Sequence, residues 1–255
     1  MEISLPMILL VGLLVGLGGF VDASAGGGGL ITLPAYMLTG LPVHVIYGAN
    51  KFSSACGTTF SSAMFLRKRA FDGKAALTAA AASFLGSGLA ARLVLILPDR
   101  VLKALVLVMV PLAAVIIFSQ RNRPEENRSE EIPLGKKLVI SAVIGFFIGG
   151  YDGLVGPGTG TFAILAFTAI LKYDLRTASG NAKLLNLASN YASLATYLLA
   201  GTVPFALAIP CALCNICGAL LGSHFALSRG AKFIRPMMLV VMGLLLVKLA
   251  ADLLL

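Results

Sequence analysis

Residues 18–34 read GGFVDASAGGGGLITLP. Six glycines and an aspartate interrupt a chain whose flanks, LPMILLVGLLVGL before and LITLPAYML after, are apolar enough for lipid. Glycine is a poor helix former. Backbone that leaves helical geometry at membrane depth must find hydrogen-bond partners inside the protein or in a water-filled cavity. A break of this composition therefore predicts a hairpin whose tip faces a site.

The rest of the chain supports a bilayer setting. Of 255 residues, 58% are hydrophobic and 12% charged, and the mean hydropathy is +0.93. An ordinary soluble domain has about a quarter charged residues. Apolar segments fall near 3–22, 28–40, 44–66, 75–97, 100–118, 138–152, 159–171, 176–200, 203–227 and 234–254. Several are long enough to span a hydrocarbon core of about 30 Å. The expected fold is an all-α polytopic membrane protein, with about 8 full spans by simple hydropathy and up to 10 segments. The first run leads into the glycine stretch with no small-residue cleavage site, so it is expected to stay as part of the membrane domain.

The formal net charge of +9 resides in short gaps between apolar runs, the placement that orients spans, so no nucleic-acid partner is expected. Cys211, Cys214 and Cys217 lie in CALCNIC at i, i+3 and i+6 of one apolar run. Without a fourth ligand this suits small-residue helix packing better than a tetrahedral metal site. No metal or cofactor is expected. Cys56 is isolated, and His44 and His224 lie near span ends.

The stretch QRNRPEENRSEEIPLGKKL at 119–137 reads as a polar linker between two transmembrane repeats, 1–118 and 138–255. GGFVDASAGGGG matches GGYDGLVGPGTG, pairing Asp22 with Asp152, Gly26 with Gly156 and Gly28 with Gly158. YGANKFSSACGTT matches SGNAKLLNLASN, pairing Asn50 with Asn181 and, with one insertion, Lys51 with Lys183. Placing the basic loops 67–74, 136–137, 172–176 and 229–235 together in the cytoplasm makes each glycine break a hairpin, broken helix or re-entrant turn. Each repeat then has five segments, the hairpin plus three full spans, and the second repeat is inverted. Arg100 and Lys103 fall outside as a minority exception.

The candidate site follows from the two breaks. Gly26, Gly27, Gly28 and Gly29 in the first, and Gly156, Gly158, Thr159 and Gly160 in the second, precede or open helices whose free N–H groups suit an anion. Lys51 and Lys183 lie well inside their spans, where insertion costs about 2.5–3.5 kcal/mol. Each needs a partner: an acid of its own half as a structural ion pair, a transported anion, or each in turn. Asn50, Ser54, Asn181, Asn186 and Asn190 add neutral polar groups, and Asp22 and Asp152 are candidates for proton coupling.

These motifs, GGFVDASAGGGGLITLP, ANKFSS, GGYDGLVGPGTGTF and SGNAKLLNLASN, resemble the TauE/SafE sulfite exporter family over essentially the whole chain. The resemblance implies an anion permease that moves sulfite, thiosulfate or small organosulfonates, often outward, across the bacterial inner membrane. It also carries the Gly-loop and Asn-Lys positions over as candidate binding residues. No P-loop accompanies them, so the expected mechanism is secondary transport. Two other readings stay open: a carrier of a carboxylate or of a cation held by Asp22 and Asp152, and a membrane protein that transports nothing. An intramembrane enzyme would need a nucleophile–base pair, and neither histidine lies near the serine or cysteine clusters.

Overall fold

The computed structural model describes residues 4–98, 100–102, 126–230, 232–234 and 236–237. Most of the expected segments 100–118 and 234–254 lies outside these residues. The described residues hold eight α-helices and no strand. They are α1 (Leu5–Ala25), α2 (Gly29–Met37), α3 (Val43–Arg67), α4 (Gly73–Ile96), α5 (Leu134–Leu154), α6 (Thr159–Ala169), α7 (Leu175–Leu199) and α8 (Phe205–Arg229). The protein is an all-α membrane protein. One boundary differs from expectation: α5 begins at Leu134, so Lys136 and Lys137 are helical and the polar link ends before them. Pro133 at the N-cap sets that start.

Two other starts are fixed by carboxylates. Asp72 accepts from the Lys74 and Ala75 N–H groups to begin α4, and Asp174 accepts from Arg176 and Thr177 to begin α7. By length and composition α1, α4, α5 and α8 can cross a membrane. Helices α3 and α7 are as long, 25 residues each, but carry Lys51 and Lys183 and half of the buried asparagine, serine and threonine among the described residues.

Those two polar helices lie antiparallel at the centre. Ser62 Oγ donates to the Lys183 carbonyl at 3.2 Å and Asn190 Nδ2 to Thr58 Oγ1 at 3.1 Å. Helix α4 packs along α7 and α5, and α8 along α3 and α1. Small residues permit the close approach. A Cβ on Gly145, Gly149 or Gly153 of α5 would come within 2.1, 2.4 or 2.5 Å of Ala79 or Ser83 or Ser87 of α4. Gly218 and Gly222 meet Gly16 and Phe20 in the same way, and Gly16 meets Cys214. The cysteine stretch is therefore part of a helix-packing seam.

These registers fix directions. Helices α1, α3 and α8 run one way, and α4, α5 and α7 run the other. Helix α2 folds back on α1, with Thr32 against Gly18 and Gly28 against Asp22. The register also corrects one pairing. Lys51 and Lys183 are each the ninth residue of a 25-residue helix, with no insertion between them. Asn50 then corresponds to Ala182, and Asn181 to Ala49.

Loop 67–74, the start of α5 and loop 172–174 converge on one face. Tyr173 donates to Asp72 at 2.6 Å, Lys137 Nζ lies 3.5 Å from the same carboxylate, and the Asp72 N–H donates to Asn181 Oδ1 at 2.8 Å. Burial raises the Asp72 carboxyl, but the Tyr173 hydroxyl, the Ala75 N–H and Lys137 outweigh it and hold the group below the usual carboxylate range. A depressed carboxyl adds stability above its unfolded value and loses it as pH falls through the folded one. Asp72→Asn is expected to lower the thermal midpoint in detergent at neutral pH and to flatten its decline toward acid. Midpoints of both proteins across that range check this.

Candidate functional site

The two glycine breaks meet tip to tip. Gly26 and Gly156 have φ of 79° and 92°, left-handed values that glycine alone adopts without strain. A Cβ on Gly26 would stand 2.2 Å from Gly160 backbone. Across the same junction Thr161 donates its N–H to the Gly26 carbonyl at 3.2 Å and its hydroxyl to the Ala25 carbonyl at 2.7 Å. The second hairpin thus caps the end of α1, satisfying carbonyls that would otherwise be unpaired in the protein interior.

Beside this junction lies a cavity of about 30 Å³, room for on the order of two waters. The first hairpin contributes Gly28, Gly29 and Thr32, and the second Gly156 and Thr159. Asp22 and Asp152 face it from the ends of α1 and α5. Helix α3 adds Asn50, Lys51 and Ser54, and α7 adds Asn186 and Asn190. The remaining predicted residues line no wall of it. Gly26, Gly27, Gly158 and Gly160 belong to the hairpin tips, where Gly26 and Gly160 serve contact between backbones. Asn181 is tied to Asp72 at the loop face, and Lys183 stands behind Asp22.

The ion pairs cross between the halves. Lys51 Nζ lies 2.6 Å from Asp152 Oδ2, with the two side chains 2% and 6% exposed, and also donates to Asn190 Oδ1 at 3.2 Å. Asp152 accepts further from Thr159 at 2.9 Å and from Ser189. Lys183 donates to the Asp22 backbone carbonyl and stands 3.5 Å from its carboxylate, which is 26% exposed. The expectation of a pair within each half is therefore corrected. Because α3 and α7 run antiparallel between the joined hairpins, each lysine reaches the other half's acid.

Three lining residues were not anticipated: Gly18, Thr32 and Asn215. Asn215 sits among the cysteines of α8, and its amide donates to the Val15 carbonyl at 3.2 Å. It fills the space left by Gly19 and Gly57, where a Cβ would come within 2.6 and 1.8 Å of it. Its signal was a lone amide in an apolar run. Among the described residues, Asn50 Oδ1 and Thr32 Oγ1 are the buried side-chain atoms of the cavity wall without a hydrogen-bond partner, which leaves them able to meet a ligand.

Removing one partner of a buried pair leaves an uncompensated charge, at a cost of about 3–5 kcal/mol. Asp152→Ala, which strands Lys51, is expected to destabilise the protein by about that much. Asp22→Ala is expected to cost less, because its contacts are longer and wetter. Denaturant or thermal unfolding in one detergent compares them.

Residues 8–249 match the family described as Sulfite exporter TauE/SafE. The chain is 31% identical over 252 residues to a probable membrane transporter protein of Haemophilus influenzae, covering 99% of this chain and 98% of that protein. It is 32% identical to the probable membrane transporter proteins ORF9 of a Sinorhizobium species and YfcA of Escherichia coli strain K12. Both matches cover 92% of this chain, with 89% and 87% of those proteins. No solved structure gives a significant match. With its apolar spans and a polar cavity held between broken helices, the chain is a multi-pass membrane transporter and belongs to the TauE/SafE sulfite exporter family.

Proposed function

We propose that this transporter carries a small sulfur-containing anion, such as sulfite, thiosulfate or an organosulfonate, by alternating access at the cavity between two inverted repeats. The crossed lysine–carboxylate pairs carry this reading. Lys51, Asp22 and Asp152 line one cavity and Lys183 stands behind Asp22, so the protein's own charges cancel there. An anion gains a lysine only when a carboxylate gives it up, and proton uptake by one or both acids is the simplest way to do so. Anion binding and proton binding are then coupled through the same four side chains.

Asn50, Thr32, Asn186 and Asn190 supply neutral hydrogen-bonding groups for the bound oxyanion, and Gly29 and Thr159, the first residues of the hairpin helices, line the same cavity. The cavity is small, and alternating access then requires the two hairpins and the α3–α7 pair to move relative to one another. The convergence of Arg67, Lys68, Lys74, Lys137, Lys172 and Arg176 near one face supports placing that face, and the 119–137 link, in the cytoplasm of a bacterial inner membrane. Outward transport is the direction the family's description suggests. One observation favours a second reading: the partly exposed Asp22 carboxylate would suit a cation.

Sulfite flux into proteoliposomes tests the proposal. The expected result is saturable flux that is lost in Lys51→Ala, in Lys183→Ala and in the double variant, and that competing anions reduce. Sulfite that passes equally well without both lysines overturns it. Flux indifferent to competing anions but sensitive to monovalent cations supports the second reading instead.

A further inference from the structure

The two carboxylates at the cavity are not equivalent, and the difference lies in what stands at matching positions of the two halves. Asp152 is held by three side-chain donors: Lys51, Thr159 and Ser189. Thr159 is the first residue of α6, and the first residue of α2 is Gly29. Ser189 is the fifteenth residue of α7, and the fifteenth of α3 is Gly57. Both hydroxyls that fix Asp152 are thus replaced by glycine around Asp22. The space beside Gly57 is taken by Asn215, whose amide already donates to the Val15 carbonyl.

Among the described residues Asp22 is left with two side-chain contacts, Lys183 and Asn186, each at 3.5 Å, the outer limit of a hydrogen bond. Its carboxylate is 26% exposed, against 6% for Asp152. Of the charged groups around it, Lys183 of α7 faces it directly, while Lys51 of α3 and Asp152 of α5 share its cavity. Helices α2 and α8, also packed on α1, contribute only the neutral Gly28, Gly29, Thr32 and Asn215, and α6 only Thr159.

Resting on the transport reading above, we infer that Asp22 is the carboxylate that takes up the transported proton, and that Asp152 is a fixed, ionised anchor for Lys51. A proton on an Asp22 carboxylate oxygen removes one negative charge and leaves Lys183 without a counter-charge, which the incoming anion supplies. When the anion leaves on the other side, Lys183 returns to Asp22 and the proton departs to that side. One proton and one anion move in the same direction, and a monoanion crosses without net charge transfer.

Infrared difference spectroscopy of the full chain in proteoliposomes, between mildly alkaline and mildly acidic buffer, reads the protonated-carboxyl stretch directly. Isotope-labelled aspartate separates aspartate from glutamate bands. A buried-aspartate band is expected in the wild type, absent in Asp22→Asn and kept in Asp152→Asn. Should either variant fail to fold, Thr159→Val is expected to keep the first band and add a second as Asp152 loses a donor. No such band in the wild type, or one that survives Asp22→Asn or disappears in Asp152→Asn, overturns the assignment. In flux assays sulfite accumulation driven by a pH gradient is expected to fall in Asp22→Asn to the level without a gradient. Gradient-driven accumulation unaffected in that variant would also overturn it. If no form of the protein moves sulfite while the band follows Asp22, the sulfite reading fails and the proton assignment stands.

Discussion

The buried pair between Lys51 and Asp152 constrains everything around it. A lysine that deep in a bilayer is costly alone, and its acid comes from the other half of the chain, 101 residues away. Bringing them together requires α3 and α7 to run antiparallel through the centre and the second hairpin to end beside the first. Those requirements in turn call for backbones in contact. Gly26 against Gly160, and the α4–α5 and α1–α8 seams of small residues, provide that contact where any side chain would hold the helices apart.

The same geometry makes the centre polar without making it wet. Asp152, Thr159, Ser189, Asn190 and Thr58 form a bonded network around Lys51. Together these bonds hold the Lys51 ammonium against Asp152 and Asn190. Around Asp22 the contacts are long and the carboxylate is partly exposed, and two polar atoms of the cavity wall have no partner among the described residues. One carboxylate of the cavity is thus tightly held and the other loosely. The loop face repeats the contrast at the surface. Asn181 ties α7 to the start of α4 there, whereas Ala49 and Pro204 at the matching places carry no side-chain amide and no N–H.

Much of this was legible in the sequence, because glycine runs and buried charges are local signals. The breaks at 26–29 and 156–160, the two lysines, the two acids and the helix limits within a few residues needed only composition and spacing. What escaped depended on tertiary structure. No spacing rule says that Lys51 meets Asp152 rather than Asp22. The Asn50–Asn181 pairing compared letters, and only the starts of α3 at Val43 and α7 at Leu175 set the register. Asn215 was overshadowed by three cysteines, although its side chain reaches the cavity while Cys211 is buried in the core and Cys214 packs against Gly12 and Gly16. Asn181 entered the candidate site through its pairing with Asn50 and its place beside Lys183, yet on the helix it turns toward Asp72.

The crossed pair is tested most directly by a double-mutant cycle on Lys51→Met and Asp152→Leu, reading unfolding midpoints and sulfite flux on the same preparations. The account predicts that each single variant is strongly destabilised and that the double recovers most of the loss, because no charge is left stranded. It also predicts that the double, though folded, carries no sulfite. Additive destabilisation would contradict the pair, and a stable double variant that still transports would separate the pair from the transport site.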